Sequence, residues 1–243
     1  MIIDGHSHIG SSWLGWVDGT DADGLIKIMD KYGVDKACVS SWSHTYDPIK
    51  GNNEVIQAVQ RYPNRLIGFC VLCPRLKWDM RKEVDRCVQF GMKGLKLHPF
   101  VNEFYADSPL IDPALEKAKE YNLPILFHSG TDSHSHPRNI GNMAKRYPEV
   151  TIIIGHMGGE AYPDAIEVAK ANPNVLLDTT EVPNIANIIE LAVKNVGAER
   201  VVWGSDSPAL NAGVEMAKVK YADISRKEKD LILGENMARI LGL

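Results

Sequence analysis

Five short segments of this chain carry residue types that bind metal ions and move protons. The first is Asp4-Gly5-His6-Ser7-His8. The others are Lys96-Leu97-His98, His128-Ser129-Gly130, Gly155-His156-Met157-Gly158-Gly159 and Gly204-Ser205-Asp206-Ser207-Pro208. His6 and His8 are two apart, and on a strand that spacing puts both side chains on one face. Two imidazoles on one face can share one divalent ion. Lys96 and His98 have the same spacing and share a face for the same reason. Each part alone is weak. A lone strand-end histidine usually serves a structural hydrogen bond, and an Asp in Gly-Ser-Asp-Ser-Pro is usually a helix cap or turn residue. Together they mean more, because each belongs to the end of a short apolar run, and structural histidines have no reason to gather at one end of the strands.

The elements that must position these residues are legible as two alternating patterns. Apolar runs occur at Met1–Ile3, Ala37–Ser41, Leu66–Leu72, Gly94–Leu97, Pro124–Phe127, Thr151–Ile154, Val175–Leu177 and Val201–Trp203. Bare apolar runs of this length are how strands buried on both faces read. Amphipathic stretches lie between them, at Asp23–Tyr32, Asn53–Tyr62, Met80–Phe90, Pro113–Tyr121, Asn139–Tyr147, Tyr162–Ala171 and Asn184–Val196. Several end in turn signals such as Tyr62-Pro63-Asn64 and Asn172-Pro173-Asn174. His98, His128 and His156 follow one another at about 30 residues, the length of a strand-helix-strand unit. Eight such units predict a single α/β domain over residues 1–243, a closed (β/α)8 barrel of the TIM type. No G-x-G-x-x-G follows the first strand, which disfavours an open dinucleotide-binding sheet. Extra C-terminal helices are predicted at Ala212–Tyr221, Ser225–Leu233 and Glu235–Leu241, with Ser225 and Glu228 as a capping box. Active sites of such barrels lie at the C-terminal ends of the strands, where all five segments fall.

Composition narrows the function classes. The chain has 243 residues, 44% of them hydrophobic and 24% charged, enough for one large core. A net charge of -4 and the lack of a Lys/Arg run argue against a nucleic-acid partner. No apolar stretch reaches the ~20 residues that span a bilayer, and the start does not read as a signal peptide. Cys70-x-x-Cys73 has no second pair to complete a closed zinc site, and its two residues face opposite sides of a strand. The cysteines therefore read as reduced, buried thiols of a cytoplasmic protein.

The set resembles the amidohydrolase superfamily, and within it the amidohydrolase-related branch that includes aminocarboxymuconate-semialdehyde decarboxylase. The likeness runs from His6-x-His8 through His128 and His156-Met157-Gly158-Gly159 to Gly204-Ser205-Asp206 and the closing Gly234-Glu235-Asn236-Met237-Ala238-Arg239-Ile240-Leu241. It implies that His6, His8, His128 and Asp206 hold one divalent ion, zinc first among the candidates. It implies a catalytic pair of Asp206, which accepts a proton from water, and His156, which acts as acid/base or steadies an oxyanion. A bound zinc ion can lower a water's pKa to roughly 7, so hydroxide becomes available at neutral pH. Gly94-Leu95-Lys96-Leu97-His98 is also similar to the strand-four segment of urease. That likeness implies a second arrangement, in which a carbamylated Lys96 bridges two ions and His128 and His156 hold the second.

Several residues are further candidates for contact with a small-molecule substrate: Lys96, His98, Arg75 and Trp13, with Trp16 beside the last. Arg75 or Arg138 could grip a carboxylate through a bidentate pair. Ser133-His134-Ser135-His136-Pro137 repeats the H-x-H spacing but reads as a loop and helix start, and His44 as a loop residue. Glu181 is a rim carboxylate without an assigned role. The expected function is a metal-dependent hydrolase acting through activated water on an amide, lactone or cyclic ester. The alternative is a metal-dependent, non-oxidative decarboxylase of an unsaturated or aromatic acid. A TatD-type nuclease and a non-catalytic metal-binding barrel are minor alternatives. A homodimer is the assembly common in this branch.

Overall fold

The computed structural model describes residues 1–10, 20–42, 47–76, 78–182 and 185–243. Trp13, Trp16 and His44 lie outside the described residues. The eight strands are β1 (Ile3–Ile9), β2 (Lys36–Ser41), β3 (Leu66–Leu72), β4 (Gly94–Leu97), β5 (Ile125–Phe127), β6 (Ile152–Ile154), β7 (Val175–Asp178) and β8 (Val201–Val202). They pair in chain order, all parallel. The ring is closed from β8 back to β1 by the segment after Val202. Gly5 N donates to Trp203 O at 2.9 Å, Asp206 N to His6 O at 2.7 Å and His8 N to Ser207 O at 2.8 Å. The (β/α)8 barrel read from the alternation is therefore the observed fold.

Ten helices surround and extend it among the described residues: α1 (Ala22–Tyr32), α2 (Pro48–Arg61), α3 (Met80–Gln89), α4 (Asp112–Tyr121), α5 (Pro137–Arg146), α6 (Tyr162–Ala171), α7 (Ile188–Val196), α8 (Ala212–Tyr221), α9 (Arg226–Asp230) and α10 (Asn236–Leu241). Their boundaries are set by local chemistry. Asp21, Asp47 and Asp79 cap α1, α2 and α3 by accepting from the backbone three residues on. Pro48 and Pro137 open α2 and α5, where a missing N–H costs nothing. The Ser225–Glu228 capping box forms as the sequence indicates. Its helix is shorter than expected, because a wide turn at Leu231–Glu235 separates α9 from α10.

Strand parity divides the apolar residues into two cores. Leu95, Leu97, Ile125, Phe127, Ile152, Ile154, Val175, Leu177 and Val201 face outward against the helices. Ile3, Ile67, Phe69, Leu126, Ile153, Leu176 and Val202 fill the barrel interior, where Met237 and Leu241 of α10 join them. The C-terminal helix thus plugs the barrel's lower end and leaves the upper end for other residues. Among the described residues no helix is long and apolar enough to cross a membrane. All four cysteines are free and buried.

Candidate active site

The same parity that fills the lower barrel with apolar side chains places polar ones directly above. Two residues beyond Leu126 stands His128, two beyond Leu176 stands Asp178, and two beyond Val202 comes Gly204 and then Asp206. On β4 the inward positions are Gly94, Lys96 and His98. Two strands break the simple alternation. β1 is longer than its apolar run and contains the H-x-H pair instead of preceding it. Its register shifts between Asp4 and Ser7. Without that bulge His6 would face away from Ile3's side; with it both face inward. On β6, His156 has the wrong parity relative to Ile153. Left-handed backbone at His156 (φ 57) and Met157 (φ 46) turns the imidazole inward after the strand ends. Asp206 (φ 52) and Glu181 (φ 54) adopt the same rare conformation at the same rim. Non-glycine residues held there carry about 1–3 kcal/mol of strain each, which the surrounding contacts must offset.

The centre of the site is a group of three donors. His8 Nε2 is 3.0 Å and His6 Nε2 is 3.6 Å from Asp206 Oδ1. The ligand atoms of His6, His8 and Asp206 all lie within 4.8 Å of one another. Lys96 Nζ is 2.8 Å from His6 Nε2. An ammonium group only donates, so Nε2 of His6 is an acceptor and its proton sits on Nδ1. That Nδ1 faces Asp178 Oδ2 at 2.8 Å. His8 is oriented on its far side by Ser40 Oγ, 3.1 Å from Nδ1, and stacks on buried Trp42. Two imidazole nitrogens and one carboxylate oxygen converging in a buried space suit a divalent cation, and the Lys96 ammonium already shows that the centre takes positive charge. The residues present therefore fit a metal ion.

The other histidines stand beside this group. His156 Nε2 is 3.0 Å from His128 Nδ1, and His128 stacks on His98 with ring centroids 3.8 Å apart. His128 belongs to none of the close donor groups found among the described residues. Its Nδ1 is engaged by His156. His156 Nδ1 is buried, lacks a hydrogen-bond partner and lies 3.5 Å from Glu181 Oε2. The pocket above is lined by His128, Ser129, Gly130, His156, Gly159 and Glu181. Burial, then the nearby Lys96 charge, holds His6 and His8 well below the usual histidine range, so both rings are neutral at physiological pH. Burial likewise lowers His156 and raises Asp206. It pulls Lys96 down to about 8, against the pull of Asp206 and Asp178.

Other sequence candidates lie elsewhere. Arg75 is exposed and donates to Glu103 O at 3.0 Å. Arg138 pairs with Asp164 at 2.9 Å on the surface. His134 and His136 sit in the loop before α5, near Asp132 and Asp164 respectively. Two buried carboxylates in the network were not singled out by sequence. Asp4 accepts from His6 N (3.1 Å), Ser205 N (2.9 Å) and Ser205 Oγ (2.5 Å), tying β1 to the Asp206 segment. Burial raises its pKa to about 7. Asp178 is the second. The signal for it was present, since it ends an apolar run on the inward parity.

Gly204 shows how tightly the network is packed. A Cβ there would lie 2.4 Å from Thr180 Oγ1, 2.6 Å from His6 Cβ and 2.7 Å from Asp178 Oδ1. Gly204→Ala is expected to destabilise the fold by about 1–3 kcal/mol through overpacking. Urea denaturation checks this, and an unchanged midpoint would contradict the packing described.

Comparison with known proteins agrees with this architecture. The sequence profile of the amidohydrolase family matches residues 47–243. The chain is 21% identical over 263 aligned positions to 2-amino-3-carboxymuconate-6-semialdehyde decarboxylase of Caenorhabditis elegans, covering 79% of this chain and 65% of that protein. It thus spans a little less than two-thirds of that relative's length. Among solved structures, 5-carboxyvanillate decarboxylase of Sphingomonas paucimobilis superposes with a TM-score of 0.78 at 17% identity, covering 100% of this chain and 99% of the other. The enzyme of the same activity from Novosphingobium aromaticivorans, with bound manganese, gives 0.82 at 17% identity, covering 100% and 97%. At such identities the structures speak for the fold, while the family profile spans most of the chain. The profile match over most of the chain establishes that this chain belongs to the amidohydrolase family.

Proposed function

We propose that this protein is a metal-dependent, non-oxidative decarboxylase of a small unsaturated or aromatic carboxylic acid. This reverses the order of the two expectations drawn from sequence, in which hydrolysis came first. The curated relative and the two structural neighbours named above are decarboxylases, which supports the reordering. The observation that carries it in this chain is the buried Lys96 ammonium, 2.8 Å from a donor atom of the proposed metal group. Loss of CO2 from an acid needs a cationic site for the carboxylate and a proton for the carbon that loses it. Lys96 supplies buried positive charge for the first. Arg75 and Arg138 are exposed and engaged elsewhere.

His6, His8 and Asp206 would hold one divalent ion, with His128 as a fourth donor. The nitrogen-rich set suits zinc and tolerates manganese. When bound, the ion would act as a Lewis acid toward the substrate's oxygen atoms. His156 is placed to carry the proton, being buried beside the centre with one ring nitrogen toward the Glu181 carboxylate at the pocket mouth. The proton is delivered to the carbon bearing the carboxylate. The bond from that carbon to the carboxyl carbon then breaks, its electron pair returns to the conjugated system and CO2 leaves.

The test is turnover of a panel of conjugated and aromatic acids in deuterium oxide, alongside amides and lactones. The expected result is CO2 release with one solvent deuteron at the carbon that lost the carboxyl group. Hydrolysis of an amide or lactone, with no CO2 from any acid, would overturn the proposal in favour of hydrolysis.

A further inference from the structure

We infer that Asp178 is a positioning residue that serves two parts of the site at once. It holds His6 in the tautomer a metal ligand needs, and it holds the left-handed backbone that turns His156 into the pocket. The inference rests on the proposed roles of His6 as ligand and His156 as proton carrier.

Asp178 is the last residue of β7 and is 1% exposed. A carboxylate so buried is costly unless its oxygens are satisfied. Four donors do this. Oδ2 takes His6 Nδ1 at 2.8 Å and the His156 backbone N–H at 3.3 Å. Oδ1 takes Thr180 Oγ1 at 2.6 Å and Thr180 N at 3.1 Å. The Thr180 contacts fix the carboxylate, and the carboxylate then fixes the other two groups.

The contact to His6 spans from β7 to β1, across β8. Gly204 lies on the crossed segment, and any side chain there would meet both His6 and Asp178. A glycine at that point leaves the path open. The partner on the other side of the ring agrees. Lys96 can only donate to His6 Nε2, so the ring proton must lie on Nδ1, facing Asp178. Nε2 then carries the lone pair, which accepts from Lys96 and lies within 4.8 Å of the donor atoms of Asp206 and His8. Outer carboxylates that fix a ligand imidazole in this way raise metal affinity by about 10–100-fold.

The contact to His156 has a separate consequence. His156 is a non-glycine residue at φ 57, so its conformation must be maintained by neighbours. Its N–H bonded to Asp178 is such a restraint. One carboxylate therefore couples the orientation of a metal ligand on β1 to that of the proton carrier after β6.

The experiment is nitrogen-15 NMR of the histidine rings in the metal-free wild type and in Asp178→Asn, with manganese titration of both. The His6 signals are assigned by their loss in His6→Gln. The wild type is expected to show His6 protonated at Nδ1. An amide has one acceptor oxygen for four donors, so Asp178→Asn is expected to lose that fixed tautomer. Its manganese affinity is expected to fall about 10–100-fold. Thr180→Val, which keeps the carboxylate, is expected to retain the tautomer and lose less than roughly tenfold, below the range for the carboxylate itself. A wild-type His6 protonated at Nε2 would overturn the inference even if Asp178→Asn does not fold. So would an Asp178→Asn protein with unchanged tautomer and affinity. If instead wild type and His6→Gln bind manganese equally, the metal assignment fails, and the tautomer result still judges Asp178.

Discussion

Asp206→Asn is expected to lower divalent-ion affinity by more than about 100-fold, beyond the loss typical of an outer-shell partner. Turnover is expected to fall about 1000-fold or more, since a Lewis acid contributes several kcal/mol and each ~1.4 kcal/mol is a factor of ten. Asp206 Oδ1 is the atom shared by both close contacts of the donor group, to His8 at 3.0 Å and His6 at 3.6 Å. An amide in its place loses the negative charge that offsets the ion and presents an N–H group toward neutral imidazoles. A stability readout separates this from a change in chemistry alone. An ion present at 100 times its dissociation constant stabilises the native state by about 2.7 kcal/mol. For a chain of this size that corresponds to roughly 5–10 °C in melting temperature. Addition of a chelator should therefore lower the melting temperature of the wild type by that amount and leave Asp206→Asn unmoved. Equal shifts in both proteins would remove Asp206 from the ligand set.

The second large effect is expected at His156. His156→Asn should lower kcat by about 100–10,000-fold, the range for losing a positioned acid/base group. Binding of one divalent ion should persist, because the group of His6, His8 and Asp206 does not include His156. Metal analysis of purified wild type and variant distinguishes this from the urease-like arrangement. One ion per chain in both proteins is the expected result. Two ions in the wild type, falling to one in His156→Asn, would show that His156 holds a second metal. Any product the variant still forms should carry one solvent deuteron as in the wild type, because the carbon that loses CO2 must gain a proton by some route, so the loss of His156 is read in the rate of deuteron delivery and not in its extent.

Both predictions draw on features of different origin. Asp206 was legible because Gly204-Ser205-Asp206 follows the last apolar run and keeps the inward parity of Val202. His8, Lys96 and His128 were legible for the same reason: each is an even step from an inward apolar residue or from another site residue on its strand. Arg75 was a candidate from its place after β3, but position after a strand does not fix direction, and its guanidinium points to Glu103 O at the surface. His156 shows the limit of parity most clearly. Alternation would turn it outward, and two consecutive left-handed residues turn it back.

The sequence by itself determined the barrel, its eight-fold alternation and the rim on which the chemistry must lie. Those follow from local rules: period-two strands, amphipathic helices and turn residues act within a few positions of one another. It also determined which residues could be ligands. The tertiary structure decided how they are held. The β1 bulge that points His6 inward depends on pairing with β2. The Asp178–His6 bond exists only where β7, β8 and β1 curve together around Gly204. The orientation of Lys96 toward His6 joins opposite regions of the ring. These are contacts between residues distant in the chain, and no local periodicity encodes them. The H-x-H pair marks the place of the chemistry, and the carboxylates packed behind it set its geometry.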